Sequence, residues 1–336
     1  MKHTLAIIGA TGFAAERTIP ALRESRSCEV VAIQGRDRER VRRVASDFGI
    51  SDQYTDVEDL LDHRTYDAAY IATPPFLHAR NIKAALLRDI PVICEKPLSV
   101  SLEEALQIEA IVSQKPGIPF MVAHHMRHQQ AVQDIRAALT TGQIGKIATS
   151  WMQWGYELNP RDRSASWKLD HARGGWGTFA DNGVHLVDLA ISFFGMPDRV
   201  SGHSASELAP GSPGDQVAVL IYGNATVVLA SSWTMPAPGN HILIYGTRGK
   251  VEAFGGIGQT PIRAITIVTN EVPREKRFDA RDHLALYRAE VEDFFAVHFR
   301  GEDRDRGTTI GEAVGAMKIL SAIEESARQG RSIQLQ

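Results

Sequence analysis

HTLAIIGATGFAAERTIPALR, residues His3–Arg23, decides how the rest of the chain is read. An apolar run without alternation ends at Gly9, and helical spacing begins within a few residues. A tight strand-to-helix turn of this kind offers backbone N–H groups and the positive end of a helix to an anion. The usual spacing of a pyrophosphate cradle, G-x-G-x-x-G, would put glycines at 9, 11 and 14; the chain has Gly9, Thr11 and Ala14 there. Thr11 can replace an amide contact with a hydroxyl, and Ala14 is small enough for close helix–strand packing. Gly9, Ala10, Thr11, Gly12 and Phe13 are therefore the candidate phosphate-binding residues.

The pattern extends outward from this turn. The runs TLAIIG, EVVAIQ, DAAYIAT, PVICEK and IPFMVA are continuous apolar stretches, as strands buried on both faces should be. Amphipathic segments such as RERVRRVASDFG, FLHARNIKAALLRD and SLEEALQIEAIVSQ separate them. This alternation predicts an α/β domain over residues 1–122, a doubly wound parallel sheet with helices on both faces. From about Ile144 several strand-like runs follow one another between Gly, Pro and Asn turns, interrupted by the helical DNGVHLVDLAISFFG. Residues 123–336 are thus expected to form an α+β domain with an open, mostly antiparallel sheet, closed by helices near 281–299 and 309–328.

Composition narrows the class. A net charge of -3 gives no electrostatic footprint for nucleic acid or an anionic membrane. No apolar run approaches the roughly 20 residues of a membrane span. The apolar N-terminus mimics a signal peptide but is short and broken by Gly9, Thr11 and Gly12. Two cysteines, Cys28 and Cys94, offer no disulfide framework. The expectation is a cytoplasmic protein.

The end of the second strand speaks to the nucleotide. An acidic residue there would hydrogen-bond a ribose 2′-OH and repel a 2′-phosphate. This chain has Gln34 and Gly35, then Arg36 and Arg40, with Asp37 suited to cap the next helix. Guanidinium groups can fork onto a phosphate, so the expected cofactor is NADP (NADPH), with NAD the less favoured. A merely solvated basic helix face is the alternative for Arg36 and Arg40.

Three further stretches fall where strands end at a binding edge: IATPPFLHA (71–79), CEKPLS (94–99) and GGWGTFADNGVHLVDLA (174–190). Ala72, Thr73, Pro74, Pro75, Leu77 and His78 of the first, and Glu95 and Lys96 of the second, are candidate cofactor contacts. Glu95-Lys96-Pro97 and Asp181-x-Gly183-x-His185-x-x-Asp188 resemble the Gfo/Idh/MocA oxidoreductases over nearly the whole chain. Within that family, AHHMRHQQAVQDIRAALTTGQIG and SWKLDHARGGWG are most similar to the 1,5-anhydro-D-fructose reductases, although Ala123 stands where those carry Asn.

Hydride transfer at a carbinol carbon requires matched proton transfer at its oxygen. Lys96 can stabilise the developing charge on that oxygen, and His185 has an intrinsic pKa suited to acid–base work. Asp181, four residues before His185, is expected to share its helix face and to hold the imidazole or tune Lys96. The resemblance implies the same trio, leaving open whether Lys96 or His185 moves the proton. It also implies that His125, Arg127, Trp167 and Lys168 line the substrate pocket and that Tyr287 lies near the cofactor, although its helical neighbours favour core packing.

His124, His125 and His128 have a spacing compatible with a metal, but no nearby acid or cysteine completes a set, so none is expected. The predicted partner is a sugar-, anhydro-sugar- or cyclitol-type ketone or alcohol, in a homodimer or homotetramer. The rivals are an NAD-dependent inositol or aldose dehydrogenase and a non-catalytic NADP-sensing regulator.

Overall fold

The unalternating run after His3 forms β1 (His3–Ile8), whose last four residues have no exposed surface. The computed structural model containing it describes residues 2–162, 164–236, 239–270, 272–303 and 306–335. With β2 (Cys28–Gln34), β3 (Asp52–Tyr54), β4 (Ala68–Ile71), β5 (Val92–Glu95) and β6 (Phe120–Ala123), β1 builds a six-stranded, all-parallel sheet in the order β3-β2-β1-β4-β5-β6. The order reverses between β1 and β4, and there the loops following these two strands stand side by side.

The connecting helices end where the residues dictate. Asp37 accepts hydrogen bonds from the N–H groups of Glu39 and Arg40 to start the helix Arg38–Phe48, and Gly49 stops it in a left-handed conformation. Ser101 caps Leu102–Ser113 through the Glu104 N–H; the Glu104 carboxylate reaches back to Val100 instead of to the cap residue itself.

The remaining strands are β7 (Ile147–Gly155), β8 (Arg199–Ala209), β9 (Ser212–Tyr222), β10 (Ala225–Ser232), β11 (His241–Gly246), β12 (Gly249–Phe254), β13 (Ala264–Thr269), β14 (Val272–Arg277) and β15 (Ile333–Gln334). They form a nine-stranded sheet, β14-β13-β12-β11-β7-β10-β9-β8-β15, antiparallel except where β7 and β10 run together. The helix Val184–Phe194 packs on it, with a C-cap at Gly195. On one side of this sheet Trp151, Val217, Tyr245 and Phe254 are exposed. Among the described residues no helix is long and apolar enough to cross a membrane.

A single cut at 122/123 does not describe the compact units. The first comprises residues 1–128 and 284–314, the second residues 129–283 and 315–336. The physical cause is the helix Ala285–Arg300. Its Val291, Phe294 and Phe295 are fully buried in one cluster with Leu5, Ile7 and Ile33, so it closes a layer of the first unit from the far end of the chain. His3 stacks on Phe295 with centroids 4.8 Å apart, and Ser25 donates to Glu292 at 3.0 Å.

Candidate functional site

In the first unit, Gly9 turns the chain with φ +88°, a region that side chains rarely tolerate. A Cβ on Gly9 would also stand 2.7 Å from the Thr73 nitrogen and 2.8 Å from the Ala72 carbonyl carbon. The turns after β1 and β4 therefore touch backbone to backbone. The Gly9 and Ala10 N–H groups both go to the Gln34 carbonyl, at 3.0 and 2.8 Å, which leaves Thr11, Gly12 and Phe13 to face an anion. Ala14 is fully buried in the core beneath the turn. Gly9→Val should therefore break both loops; the expected result is loss of dinucleotide binding in a calorimetric titration and destabilisation by roughly 3 kcal/mol.

The second-strand position is closed to a carboxylate. A Cβ on Gly35 would lie 2.7 Å from the Thr11 methyl and 3.0 Å from a Val41 methyl. Gln34 does not point outward either: buried, it donates to the Thr55 carbonyl at 3.0 Å and accepts from the Gly9 N–H at 3.3 Å. Arg36, which is exposed, is thus the first outward side chain after β2, and Arg40 stands 3.3 Å from the Asp37 carboxylate.

After β4 and β5 the expected cofactor contacts divide. Thr73, Pro74 and Leu77 are partly accessible, as is Lys96, whereas Pro75, His78 and Glu95 are buried. His78 has no exposed surface. Its Nδ1 lies 2.9 Å from the Pro97 carbonyl and its Nε2 2.9 Å from the Thr73 carbonyl, so the ring ties the two loops together and is not itself presented to a ligand. Burial pushes its pKa down, against the pull of those carbonyls, and Lys96 adds to the depression. Glu95 is likewise turned inward: its Oε1 accepts from the Tyr70 hydroxyl at 2.7 Å and its Oε2 from the Lys96 N–H at 3.2 Å.

The segment after β6 is equally buried. Tyr287 packs edge-on against Phe13 at 5.5 Å and beside His125 at 5.0 Å, joining three candidate residues through apolar contact. Its hydroxyl is buried with no hydrogen-bond partner among the described residues, and burial holds its proton on. Arg127 pairs with Glu312 at 2.8 Å, and His128 with Asp293 at 2.7 Å. Among the described residues no group of three or more His, Cys, Asp or Glu side chains could hold a metal ion.

In the second unit, Asp181 and His185 do not sit on one regular helix. Asp181 belongs to a wider turn, Phe179–Gly183, with π-type bonding, and the α-helix proper begins at Val184. Three donors converge on one Asp181 oxygen: Lys168 Nζ at 2.7 Å, the Tyr156 hydroxyl at 2.7 Å and Trp233 Nε1 at 3.2 Å. Burial and the Asp181 charge both push the Tyr156 pKa up, so it remains a donor. His185 is almost wholly buried and lies over the Trp154 ring, with centroids 4.7 Å apart. Asn182 pins the wide turn by donating to the Trp154 carbonyl at 2.6 Å, and the Phe179 N–H donates to Gln216 at 2.8 Å. Trp167 stacks near the Lys168 ammonium, 5.9 Å from its ring centre.

Tyr156, Trp154, Trp233, Tyr70 and Glu290 were not among the sequence candidates. Trp154 and Tyr156 had a local signal as part of the strand-like KIATSWMQWGYEL, and Tyr70 as part of DAAYIAT, but only as strand residues; Tyr70, Glu290 and Trp233 join their partners across larger separations.

Comparison with known proteins agrees with both units. Residues 3–124 match the model for an oxidoreductase family with an NAD-binding Rossmann fold, and residues 132–252 match a GFO/IDH/MocA C-terminal domain. The chain is 31% identical to D-xylose 1-dehydrogenase (NADP(+)) 2 of Haloferax volcanii, over 98% of each chain. It is 26% identical to the 1,5-anhydro-D-fructose reductase of Ensifer adhaerens, over 92% of this chain and 94% of that one. Among solved structures, the aldose-aldose oxidoreductase of Caulobacter crescentus superposes with a TM-score of 0.87 at 19% identity, covering all of both chains.

Proposed function

Because the chain belongs to the Gfo/Idh/MocA family of NAD(P)-dependent oxidoreductases, we propose that it transfers hydride between NADP(H) and a sugar-, anhydro-sugar- or cyclitol-type ketone or alcohol. The observation that carries the cofactor preference is the closed packing at Gly35. With its Cβ position filled by Thr11 and Val41, the ribose end meets an arginine where a carboxylate would stand. The first unit fits such a cofactor: Thr11, Gly12 and Phe13 would hold the pyrophosphate, and Arg36, supported by Arg40, the 2′-phosphate.

The nicotinamide, when bound, gives or takes the hydride. Lys96 then donates a hydrogen bond to the reacting oxygen and stabilises charge developing there. His185 exchanges the matching proton, its ring orientation set by the Trp154 surface. Asp181 is the electrostatic anchor of its segment, accepting from Lys168 and from Tyr156 and keeping the Tyr156 proton in place. His125, Arg127, Trp167 and Lys168 supply the remaining polar and aromatic contacts to substrate. The sugar assignment takes its support from the named activities of the xylose and anhydrofructose relatives. The apolar side chains exposed on the second sheet suit cover by a second copy of the chain, in a dimer or tetramer.

The test of cofactor choice is steady-state kinetics with each dinucleotide over a panel of aldoses, anhydro-ketoses and inositols. NADPH is expected to win. Arg36→Ala should raise the KM for NADPH by about tenfold, the loss of one charge-assisted contact, with little change for NADH. A wild-type preference for NADH would overturn the 2′-phosphate assignment and favour the NAD-dependent dehydrogenase.

A further inference from the structure

Beneath Lys96 the first unit buries two carboxylates that share one tyrosine. The Tyr70 hydroxyl lies 2.7 Å from Glu95 Oε1 and 3.3 Å from Glu290 Oε1. All three side chains are withdrawn from solvent, Tyr70 completely and Glu290 to 1%. A phenol carries one proton and can donate to only one of two carboxylates. The shorter contact assigns that proton to Glu95. The oxygen–oxygen contact with Glu290 is then a hydrogen bond only if the Glu290 carboxyl itself carries a proton and donates it to the Tyr70 oxygen. A second observation agrees. Glu290 Oε2 is buried with no partner among the described residues, which a neutral carboxyl tolerates far better than an ionised one.

From this chain of contacts we propose that Glu290 is a proton-holding positioning residue. Its carboxyl O–H donates to Tyr70, Tyr70 donates to Glu95, and Glu95 stays ionised where its Oε2 meets the Lys96 backbone. The pair therefore carries one negative charge behind Lys96, not two.

The surroundings support the division. Burial pushes both carboxyls upward and Glu95 repels charge on Glu290. The Tyr70 hydroxyl offsets part of that push at both carboxyls, whereas the Lys96 charge and the Lys96 N–H do so at Glu95 and not at Glu290. The other groups facing the cluster are Thr18, whose hydroxyl lies beside Tyr70, and Arg17, which acts on Tyr287 one turn before Glu290. The net movement is confined to one proton: if it passes from Glu290 to the Tyr70 oxygen while the Tyr70 proton passes to Glu95, the charge shifts from Glu95 to Glu290 and nothing else is gained or lost.

Infrared spectroscopy tests this on the intact chain without substrate. At neutral pD the wild type should show the C=O stretch of a protonated, buried carboxyl, and Glu290→Gln should lack it. No such band in the wild type, or one surviving in Glu290→Gln, would overturn the proposal. The positioning role rests on the function proposed above and has its own readout. Gln at 290 can still donate to Tyr70, so turnover should stay near wild type. Glu290→Leu should lower kcat by about tenfold, the effect of one lost buried hydrogen bond, at unchanged KM. Equal turnover in wild type and both variants would remove the positioning role. If Glu290→Leu fails to fold, the infrared comparison with Glu290→Gln decides alone. An absence of dinucleotide-dependent turnover in the wild type would defeat the proposed function while leaving the infrared result standing.

Discussion

Lys96→Ala is expected to lower kcat by about 10²–10⁴-fold, the range for removing a group that stabilises or transfers a proton in the transition state. Affinity for the dinucleotide should change only a few-fold. The residue follows β5 and remains partly accessible, in contrast to Glu95 and His78 on either side of it, which are turned inward. The loop is held from behind by those two, so removing the ammonium should leave the backbone where it is. Single-turnover hydride transfer, followed by nicotinamide absorbance, separates the chemical step from binding. His185→Ala should show the same pattern. Should both variants turn over like the wild type, catalysis by these groups is the wrong reading and the NADP-sensing regulator becomes the better one.

Asp181→Asn should be the most destabilising single change in the second unit. It removes the charge on which Lys168, Tyr156 and Trp233 converge, and an amide oxygen cannot replace it for three donors. Lys168 would be left largely withdrawn from water without its counter-ion. A loss of about 2–4 kcal/mol is expected in urea unfolding followed by tryptophan fluorescence, whose five reporters all lie in the second unit. Adding Lys168→Met should recover part of it, because the stranded charge is then gone, with a coupling of roughly 1–3 kcal/mol in the double-mutant cycle. If the two substitutions simply add, the pair is not the anchor described.

The parts of the fold legible in the sequence are those with a local cause. Continuous apolar runs marked β1, β2, β4, β5 and β6 because each ends in at least three consecutive buried residues, covered on both faces. β3, only Asp52-Gln53-Tyr54, carries no such run since it lies at the sheet edge and is half-buried. The capping residues Asp37 and Ser101 act within three residues of themselves, so spacing alone located them.

The site was legible as a set of segments and less so as contacts. Lys168, Asp181 and His185 were named individually, yet the convergence on Asp181 depends on Trp233, 52 positions away across the sheet. Tyr70 and Glu290 are 220 positions apart, and nothing in ALYRAEVEDFF distinguishes a buried glutamate from a solvated one. A boundary at 122/123 does not express the return of residues 284–314 to the first unit, for a similar reason. The apolar face of residues 285–300 has helical period but carries no mark of which core it will join.

That return has a consequence for biosynthesis. The polypeptide leaves the ribosome with its nucleotide-side layer lacking Val291, Phe294 and Phe295, which are made only after eight strands of the second sheet, β7 to β14. During most of translation the bare surface over Ile7 and Leu22 must wait for them. The nascent protein therefore cannot finish its domains in the order it is spelled, and the piece synthesised first is among the last to be sealed.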